Sequence, residues 1–500
     1  MKNPNKILIA NRGEVACRIL HSAHELGLKT ALIVSEKDQD GAPAELAQEV
    51  ILLKGETLAK TYLNGSQIIQ KAKKHHCDLL HPGFGFLSED ATFAKEVKDA
   101  GIEWIGPSPQ SMKKVSNKVS SKELCKKLKV PTAPWLLIKS KPTKKTLEEI
   151  EKDIGFPCLV KAAAGGGGKG LKRIQNRESL QDAISSAQRE AKNAFGDDVV
   201  FVEKILDHAR HIEIQIFGDF QNKVFAFGER DCSTQRRFQK IIEESPGPGI
   251  KEDLRKKLEM YAKKIASEIG YQNAGTVEFL VGLKDQKPYF LEMNTRLQVE
   301  HGVTEERYGI DLVKMQILTA IKKPIQSLLP MEKPRGHVMQ FRLYAEDVAM
   351  GFLPQPGPIF ECTFPHMKGL RVDSAIRSGD RIHNDYDPMI AKLIVTGKDR
   401  NEVLEKSFYA LAQTKILGPT TNRDFLLQII RHPKFQNGEM TTQFLQNELG
   451  AFQGNGNLKE LALAIANALY PSQYPQFSKK ELGKIEENVF SKIQFGREFL

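Results

Sequence analysis

Glu292-Met293-Asn294-Thr295-Arg296-Leu297-Gln298-Val299-Glu300 is the stretch from which the rest of this chain can be read. In an extended chain successive side chains point to opposite faces, so Glu292, Asn294, Arg296, Gln298 and Glu300 are expected on one face at a strand end. An acid, an amide, a guanidinium, a second amide and a second acid have no use in an apolar core, and a solvated strand face rarely needs so many polar positions in register. The set can hold a hard cation through oxygen ligands, pair an anion with Arg296, and offer Glu300 as a base.

Around this row the pattern is mixed. Upstream, residues 199–206 (VVFVEKIL), 211–216 (HIEIQI), 223–228, 275–281 (GTVEFLV) and 289–294 (YFLEMN) read as an antiparallel-looking set of strands. Helices at 178–193 and 251–269 interrupt them, giving an α+β unit. From residue 6 to about 106 the runs KILIA, TALIVS, EVILL, DLLH and EWIG alternate with amphipathic helices, which predicts a parallel sheet with helices on both faces, an α/β unit. After Lys333-Pro334-Arg335-Gly336 a further segment opens with HVMQFRLYAED and runs through strands to a helix at 402–413; residues 451–500 read as an appended helical tail. The expected domains are 1–115, 116–330 with a lid at about 133–205, 331–445, and a tail at 446–500.

A chain of 500 residues needs two or three cores, and an apolar content of 40% can fill them. The formal charge of +11 suits attraction either to nucleic acid or to small anions such as nucleotides and bicarbonate. Lysines are dense from Lys113 to Lys145, but acids return at Glu148, Glu149 and Glu151 and base-stacking aromatics are scarce there, so a solvated surface is expected and no nucleic acid. Cys17, Cys77, Cys125, Cys158, Cys232 and Cys362 show no CxxC spacing, which argues against a zinc site or a disulfide framework and for reduced thiols. The first strand begins near Lys6, leaving no room for a leader, and no apolar run approaches the roughly 18 residues of a membrane span. The expectation is a cytoplasmic protein without membrane contact.

The run Ala164-Gly165-Gly166-Gly167-Gly168-Lys169-Gly170 is not a Walker loop, because Gly170 stands where Ser or Thr is required and a strand follows in place of a helix. Glycines between strands can form a hairpin whose backbone N–H groups close over phosphates. Lys161 on the entering strand supports an anion-binding role. Neither Asn11-Arg12-Gly13-Glu14 nor Gly83-Phe84-Gly85-Phe86 makes a dinucleotide fingerprint.

Seven motifs in order carry a resemblance: KILIANRGEVACRIL at the start, HPGFGFLSED at 81–90, KAAAGGGGKG, ERDCSTQRRFQKIIEESPGPG at 229–249, EMNTRLQVEH, RLYAED at 342–347 and DYDPMIAKLIV at 385–395. Over roughly residues 5–445 the chain resembles biotin carboxylase, the ATP-grasp subunit or domain of biotin-dependent carboxylases such as acetyl-CoA carboxylase. The resemblance implies an N-terminal parallel-sheet domain, a central ATP-grasp domain with a glycine-rich lid, and a C-terminal biotin carboxylase domain. It also implies a ligase that carboxylates biotin on a carrier protein, consuming ATP and bicarbonate through carboxyphosphate.

Residue roles follow from the same resemblance. Lys118 and Lys161 match lysines on ATP phosphates, Gly166, Gly167 and Gly168 lie in the lid, and Glu203, Lys204, Leu206 and Leu280 fall in the nucleotide site. His211 matches a ribose contact and Gln235 a glutamine bordering ATP. Glu278, Glu292 and Asn294 match the metal-binding set for magnesium or manganese. Lys240, Arg296, Gln298, Val299 and Glu300 match the bicarbonate and biotin pocket, with Glu300 as base, and Arg342 matches the arginine beside the reacting biotin.

Departures from the family pattern are Ala164 where glycine is usual, Phe238 where histidine is common, and Gly302 where proline is usual. Phe238 cannot donate a hydrogen bond to a nucleotide hydroxyl, and Gly302 is expected to loosen the turn after Glu300. The Met-Lys pairs at Met1, Met112 and Met367 are not followed by Met, so no biotin acceptor is read here. The implied partners are a separate biotin carboxyl carrier protein and carboxyltransferase subunits, with a homodimer as the expected assembly. Rival readings are another ATP-grasp ligase, against which the 292–301 row with RLYAED discriminates, and a basic nucleic-acid-binding or regulatory protein on an inactive ATP-grasp fold, against which the retention of Lys161, Lys240, Glu278, Glu292, Arg296, Glu300 and Arg342 speaks.

Overall fold

The computed structural model describes residues 4–163, 172–330, 333–334 and 336–450. Gly166, Gly167, Gly168 and Ala164 of the lid motif, and the tail from 451, lie outside the described residues.

The apolar runs near the N-terminus form a five-stranded parallel sheet in the order Glu49–Leu52, Lys29–Val34, Lys6–Ile9, Leu79–His81, Glu103–Trp104. Strands buried on both faces need side chains that are apolar at every position. Alternation then divides them: Ile7 and Ile9 pack with Val15, Ile19 and Leu20 of the helix Gly13–Glu25, whereas Leu8 packs with Ile68, Phe93 and Val97 of the helices Gly65–Lys74 and Ala91–Asp99 on the other face.

The next sheet is larger and antiparallel. Its eight strands run Pro288–Asn294, Asn273–Gly282, Ala209–Gly218, Val224–Arg236, Gln239–Ser245, His337–Tyr344, Met389–Gly397, Leu370–Ser374. One ladder thus continues from the segment that carries the 292–300 row into the segment that opens at His337. The helix Glu252–Glu268 lays Leu254, Leu258, Ala262 and Ile265 against Ile212, Ile214, Val277 and Phe279 of this sheet. A separate four-stranded sheet, in the order Trp135–Ile138, Val200–Lys204, Cys158–Ala162, Lys172–Ile174, makes up the lid region with the helices Lys144–Asp153 and Leu180–Phe195 packed on it.

The expected extended row is corrected by the structure. The strand ends at Asn294, and Arg296, Gln298 and Glu300 lie in a turn that leads into the helix His301–Tyr308. Glu292 and Asn294 alone keep the strand alternation; the remaining members are placed by tertiary contacts. Gly302 lies just beyond this turn. It sits in the first turn of the helix, and a Cβ there would collide with Ile394 Cδ1, so glycine lets the helix close on the neighbouring strand.

Phe238 and Arg237 occupy the hairpin between Val224–Arg236 and Gln239–Ser245, where Arg236 pairs with Gln239. Both have positive φ, 47° at Arg237 and 69° at Phe238, as a two-residue loop of the I′ kind requires. Phe238 is 69% exposed at this tip.

Candidate functional site

Register aligns the charges before any side chain reaches out. Across neighbouring strands Glu292 is opposite Glu278, Glu278 is opposite Glu213, and Glu213 is opposite Arg230, so three carboxylates and a guanidinium form one row over four strands. Asn294, two residues beyond Glu292, donates from Nδ2 to Glu278 Oε1 at 2.8 Å.

Lys240, from the next strand, closes the row. Its Nζ donates to Glu213 Oε2 at 2.6 Å, Glu278 Oε1 at 2.7 Å and Glu300 Oε1 at 2.7 Å. An ammonium has three donors, and all are used. Burial disfavours the charge on Lys240, but the three carboxylates outweigh it and hold the ammonium well above the usual lysine range. Burial likewise works against the Glu300 anion; Lys240, Arg342 and Arg230 together prevail, and the carboxyl is held well below its usual range. These cations favour the ionised form of Glu300.

Arg342 stands on the far side of Glu300. Its guanidinium donates from Nε to Glu243 Oε1 at 2.6 Å and from Nη2 to Glu300 Oε2 at 3.0 Å. Burial raises the Glu243 carboxyl, with Arg342 opposing and Glu300 adding to the rise. Arg230 is fully enclosed and is satisfied by Glu213 Oε1 at 2.5 Å, Gln215 Oε1 at 2.7 Å, Thr304 Oγ1 at 2.8 Å and Thr276 Oγ1 at 3.1 Å. Glu213, Arg230 and Glu243 were missed by the sequence reading. For the two acids the signal available was a charge inside or at the end of an apolar run, Glu213 between Ile212 and Ile214 and Glu243 directly after Ile241-Ile242.

His211 flanks Glu278, its Nε2 3.0 Å from Glu278 Oε2 and its Nδ1 3.3 Å from Gln235 Nε2. Burial alone would depress its imidazole, but Glu278 reverses this and raises it. Leu280 is opposite His211 in the adjacent strand. Asn117 caps the helix Lys118–Lys127 by accepting from Val119 and Ser120 N–H, which puts Lys118 in its first turn; burial lowers its ammonium and Glu292 opposes this.

Other expected groups are engaged with partners that were not foreseen. Lys161 and Lys122 both ion-pair with buried Glu203, so Glu203 anchors the two lysines of the lid side, while Lys204 is exposed and Leu206 half-buried beside it. Arg296 is turned toward Glu89, donating from Nε at 2.9 Å, and Thr295 N–H donates to the other Glu89 oxygen at 3.2 Å. Gln298 is buried and its Nε2 has no partner among the described residues. Val299 contributes its carbonyl, which accepts from Lys392 Nζ at 3.2 Å.

Among the described residues two groups of side chains have the proximity of a metal site: His211, Glu213 and Glu278, and Glu213, Cys232 and Glu300, each with ligand atoms within 4.8 Å of one another. Both share Glu213, which Arg230 and Lys240 already neutralise, and burial drives the Cys232 thiol well up, away from the thiolate a metal needs. The oxygen set of Glu278, Glu292 and Asn294 fits a hard cation better. Burial, and then Glu278, raise the Glu292 carboxyl; a divalent cation between the two acids would relieve that repulsion.

Three family models match in succession: the biotin carboxylase N-terminal domain over residues 3–112, the carbamoyl-phosphate synthase L chain ATP binding domain over 117–328, and the biotin carboxylase C-terminal domain over 340–447. Biotin carboxylase 2 of Bacillus subtilis (strain 168) is 41% identical over 450 residues, covering 89% of this chain and 99% of that protein. The crystal structure of a Campylobacter jejuni biotin carboxylase in a beta-gamma-ATP complex aligns with a TM-score of 0.84 at 39% identity, over 89% of this chain and 99% of that one. The biotin carboxylase domain dimer of Hydrogenobacter thermophilus 2-oxoglutarate carboxylase, in complex with MgADP, ADP and bicarbonate, aligns with a TM-score of 0.85 at 36% identity, over 91% of this chain and all (100%) of that one.

Proposed function

This chain belongs to the biotin carboxylase family, and from that premise we propose how its residues divide the work of ATP- and bicarbonate-dependent carboxylation of biotin. The observation that carries the assignment is Lys240, whose single ammonium joins Glu213, Glu278 and Glu300.

In this resting arrangement Glu300 is anionic but a weak base, because Lys240 and Arg342 stabilise its charge. An arriving bicarbonate anion competes for the Lys240 donors. As Lys240 turns to it, Glu300 loses a counter-charge, its basicity rises, and it takes the bicarbonate proton. Gln298 Nε2, buried without a partner among the described residues, supplies a further donor to the anion. Glu89 orients the Arg296 guanidinium through Nε, and the outer nitrogens grip the anion. The deprotonated bicarbonate oxygen attacks the γ-phosphorus of ATP, ADP leaves, and carboxyphosphate forms.

Magnesium or manganese, held by Glu278 and Glu292 with Asn294, would supply charge neutralisation at the triphosphate. Lys118, Lys161 and the N–H groups of Gly166, Gly167 and Gly168 bind the phosphates, His211 the ribose, and Glu203, Lys204, Leu206, Gln235 and Leu280 line the remainder of the nucleotide site. Carboxyphosphate then releases carbon dioxide and phosphate. The phosphate takes the proton of the biotin ureido nitrogen, Arg342 stabilises the negative charge that grows on the ureido oxygen, and the nitrogen attacks carbon dioxide.

The biotin is carried by a separate carrier protein, the product passes to carboxyltransferase subunits, and the chain works as a homodimer in the cytoplasm, with domains at 1–115, 116–330, 331–445 and a tail at 446–500. Among the described residues no helix is long and apolar enough to cross a membrane. The test is ATP cleavage measured with and without bicarbonate, free biotin and a metal chelator. Turnover is expected only with bicarbonate and metal, and is expected to rise with biotin. Cleavage that ignores bicarbonate overturns the reading.

A further inference from the structure

Lys392, in the strand Met389–Gly397, is fully buried. Its Nζ lies 2.9 Å from Glu14 Oε2, 3.3 Å from Asp373 Oδ2 and 3.2 Å from the Val299 carbonyl oxygen, with the Phe84 ring 6.0 Å away. These partners come from the first helix, the strand Leu370–Ser374, the turn after Leu297 and the loop after Leu79–His81. An ammonium and two carboxylates enclosed together add little net stability compared with apolar packing of the same volume.

The third contact distinguishes this lysine from a structural ion pair. Val299 lies between Gln298 and Glu300, in a turn that no strand ladder fixes. Among the described residues the other restraints on the backbone of residues 298–300 come from His301, whose backbone N–H and ring Nδ1 meet the Gln298 carbonyl at 3.2 Å and 2.7 Å, and from Val303 N–H on the Glu300 carbonyl at 3.1 Å. Each of these arises from the helix that the turn itself begins. Lys392 is the backbone restraint from the C-terminal third of the chain, where Arg342 reaches only the Glu300 side chain, and Glu14 ties it to the N-terminal third.

We propose that Lys392 is a positioning residue: with Glu14 and Asp373 fixing its Nζ, it holds the Val299 carbonyl and thereby aims the Gln298 and Glu300 side chains at bicarbonate. This rests on the assignment of Gln298 and Glu300 to the bicarbonate site. It also gives a role to the acid of Asn11-Arg12-Gly13-Glu14, a motif that makes no dinucleotide fingerprint.

The test uses the double variant Lys392→Met/Glu14→Gln. Asp373 remains paired with Arg371 at 2.8 Å and 3.0 Å, so the double change leaves no buried charge uncompensated. The variant is expected to melt close to wild type and to bind ATP unchanged, while its bicarbonate KM rises about tenfold or more, since small misplacements of reacting groups are costly. Glu14→Gln alone, which keeps the Lys392 donor but drops one of its anchors, is expected to raise bicarbonate KM by about threefold. A wild-type bicarbonate KM in the double variant, or parallel rises for ATP and bicarbonate, overturns the proposal. Should the double variant fail to fold, Glu14→Gln decides, and an unchanged bicarbonate KM in it is an overturning result. Glu300→Gln separates the two layers: if it keeps bicarbonate-dependent turnover, the site assignment fails; if it loses turnover while the Lys392 variant behaves as wild type, the positioning inference alone fails.

Discussion

Two buried histidines, one in each large sheet, titrate in opposite directions. His81 ends a strand of the parallel sheet, its Nδ1 accepting from Gly83 N–H at 3.0 Å, and burial pushes its imidazole down to about 3. His211 is as deeply buried in the antiparallel sheet, yet Glu278 overcomes the burial and raises it. Burial does not distinguish the two; the neighbours do. The parallel sheet presents mostly apolar side chains on both faces, and beside His81 burial and the Arg18 charge outweigh the Gln316 contact. The antiparallel sheet carries a row of acids and cations that keep one another ionised, and an incoming anion or cation can exchange into that row.

The contrast can be broken most severely at Glu300. Glu300→Gln keeps the shape but removes the proposed base and one partner of both Lys240 and Arg342. Bicarbonate-dependent ATP cleavage is expected to fall by about a thousandfold, within the range for loss of a general base, with ATP binding by calorimetry little changed. A variant that retains turnover within a factor of about ten would remove Glu300 from the chemistry.

Next is Arg342→Ala. Loss of a charge-assisted donor aimed at developing charge costs about 3 kcal/mol, roughly a hundredfold in rate. Biotin carboxylation is expected to bear that loss while ATP affinity holds. If ATP affinity falls as steeply as carboxylation, Arg342 belongs to the nucleotide site.

The histidines sharpen the comparison through pH. His81 is neutral in the fold at pH values where the unfolded chain is protonated, so between its ordinary 6.5 and about 3 the unfolded state binds more protons and stability falls as pH falls. His81→Asn keeps an acceptor for Gly83 N–H and is expected to flatten that acid limb by about 1.4 kcal/mol per pH unit. His211 has the opposite sign. Its folded-state value lies above the unfolded one, so its contribution is complete below the ordinary histidine range and is lost as pH rises through the raised value. His211→Asn is therefore expected to shrink stability on the acid side of that window. Denaturant titrations across pH read both, and slopes of the same sign in the two variants would refute the contrast.

The smallest expected effect lies at the hairpin tip of the charged sheet. Phe238 holds a φ of 69° while 69% exposed, so Phe238→Gly is expected to relieve strain worth about 1 kcal/mol in chemical denaturation. A loss of stability would mean that the ring makes a contact worth more than the strain it costs.

Much of this was legible before any coordinates. The five short apolar runs near the N-terminus name their sheet because parallel strands, covered on both faces, have no choice of residue type. Glu278, Glu292, Lys240, Glu300 and Arg342 are legible as a set because their motifs keep the residue types and order of the biotin carboxylase pattern. Glu213, Arg230 and Glu243 were not, since an acid beside isoleucine, as Glu213 and Glu243 are, reads equally as the outward face of a half-exposed strand, and Arg230 stands between the acids Glu229 and Asp231. Their role depends on which strand lies alongside, and register is a property of the sheet.

By itself, then, the sequence determined the residue types of the site, the family and the alternation of elements, because local periodicity and motif order are written in one dimension. Tertiary structure alone decided that the row beginning at Glu292 leaves its strand at Asn294 and turns. It also decided that Lys240 gathers three carboxylates separated widely in the chain, and that Arg296 faces Glu89. The physical reason is that a charge is stable in the interior only where counter-charges converge on it, and convergence from distant strands is set by their pairing and packing.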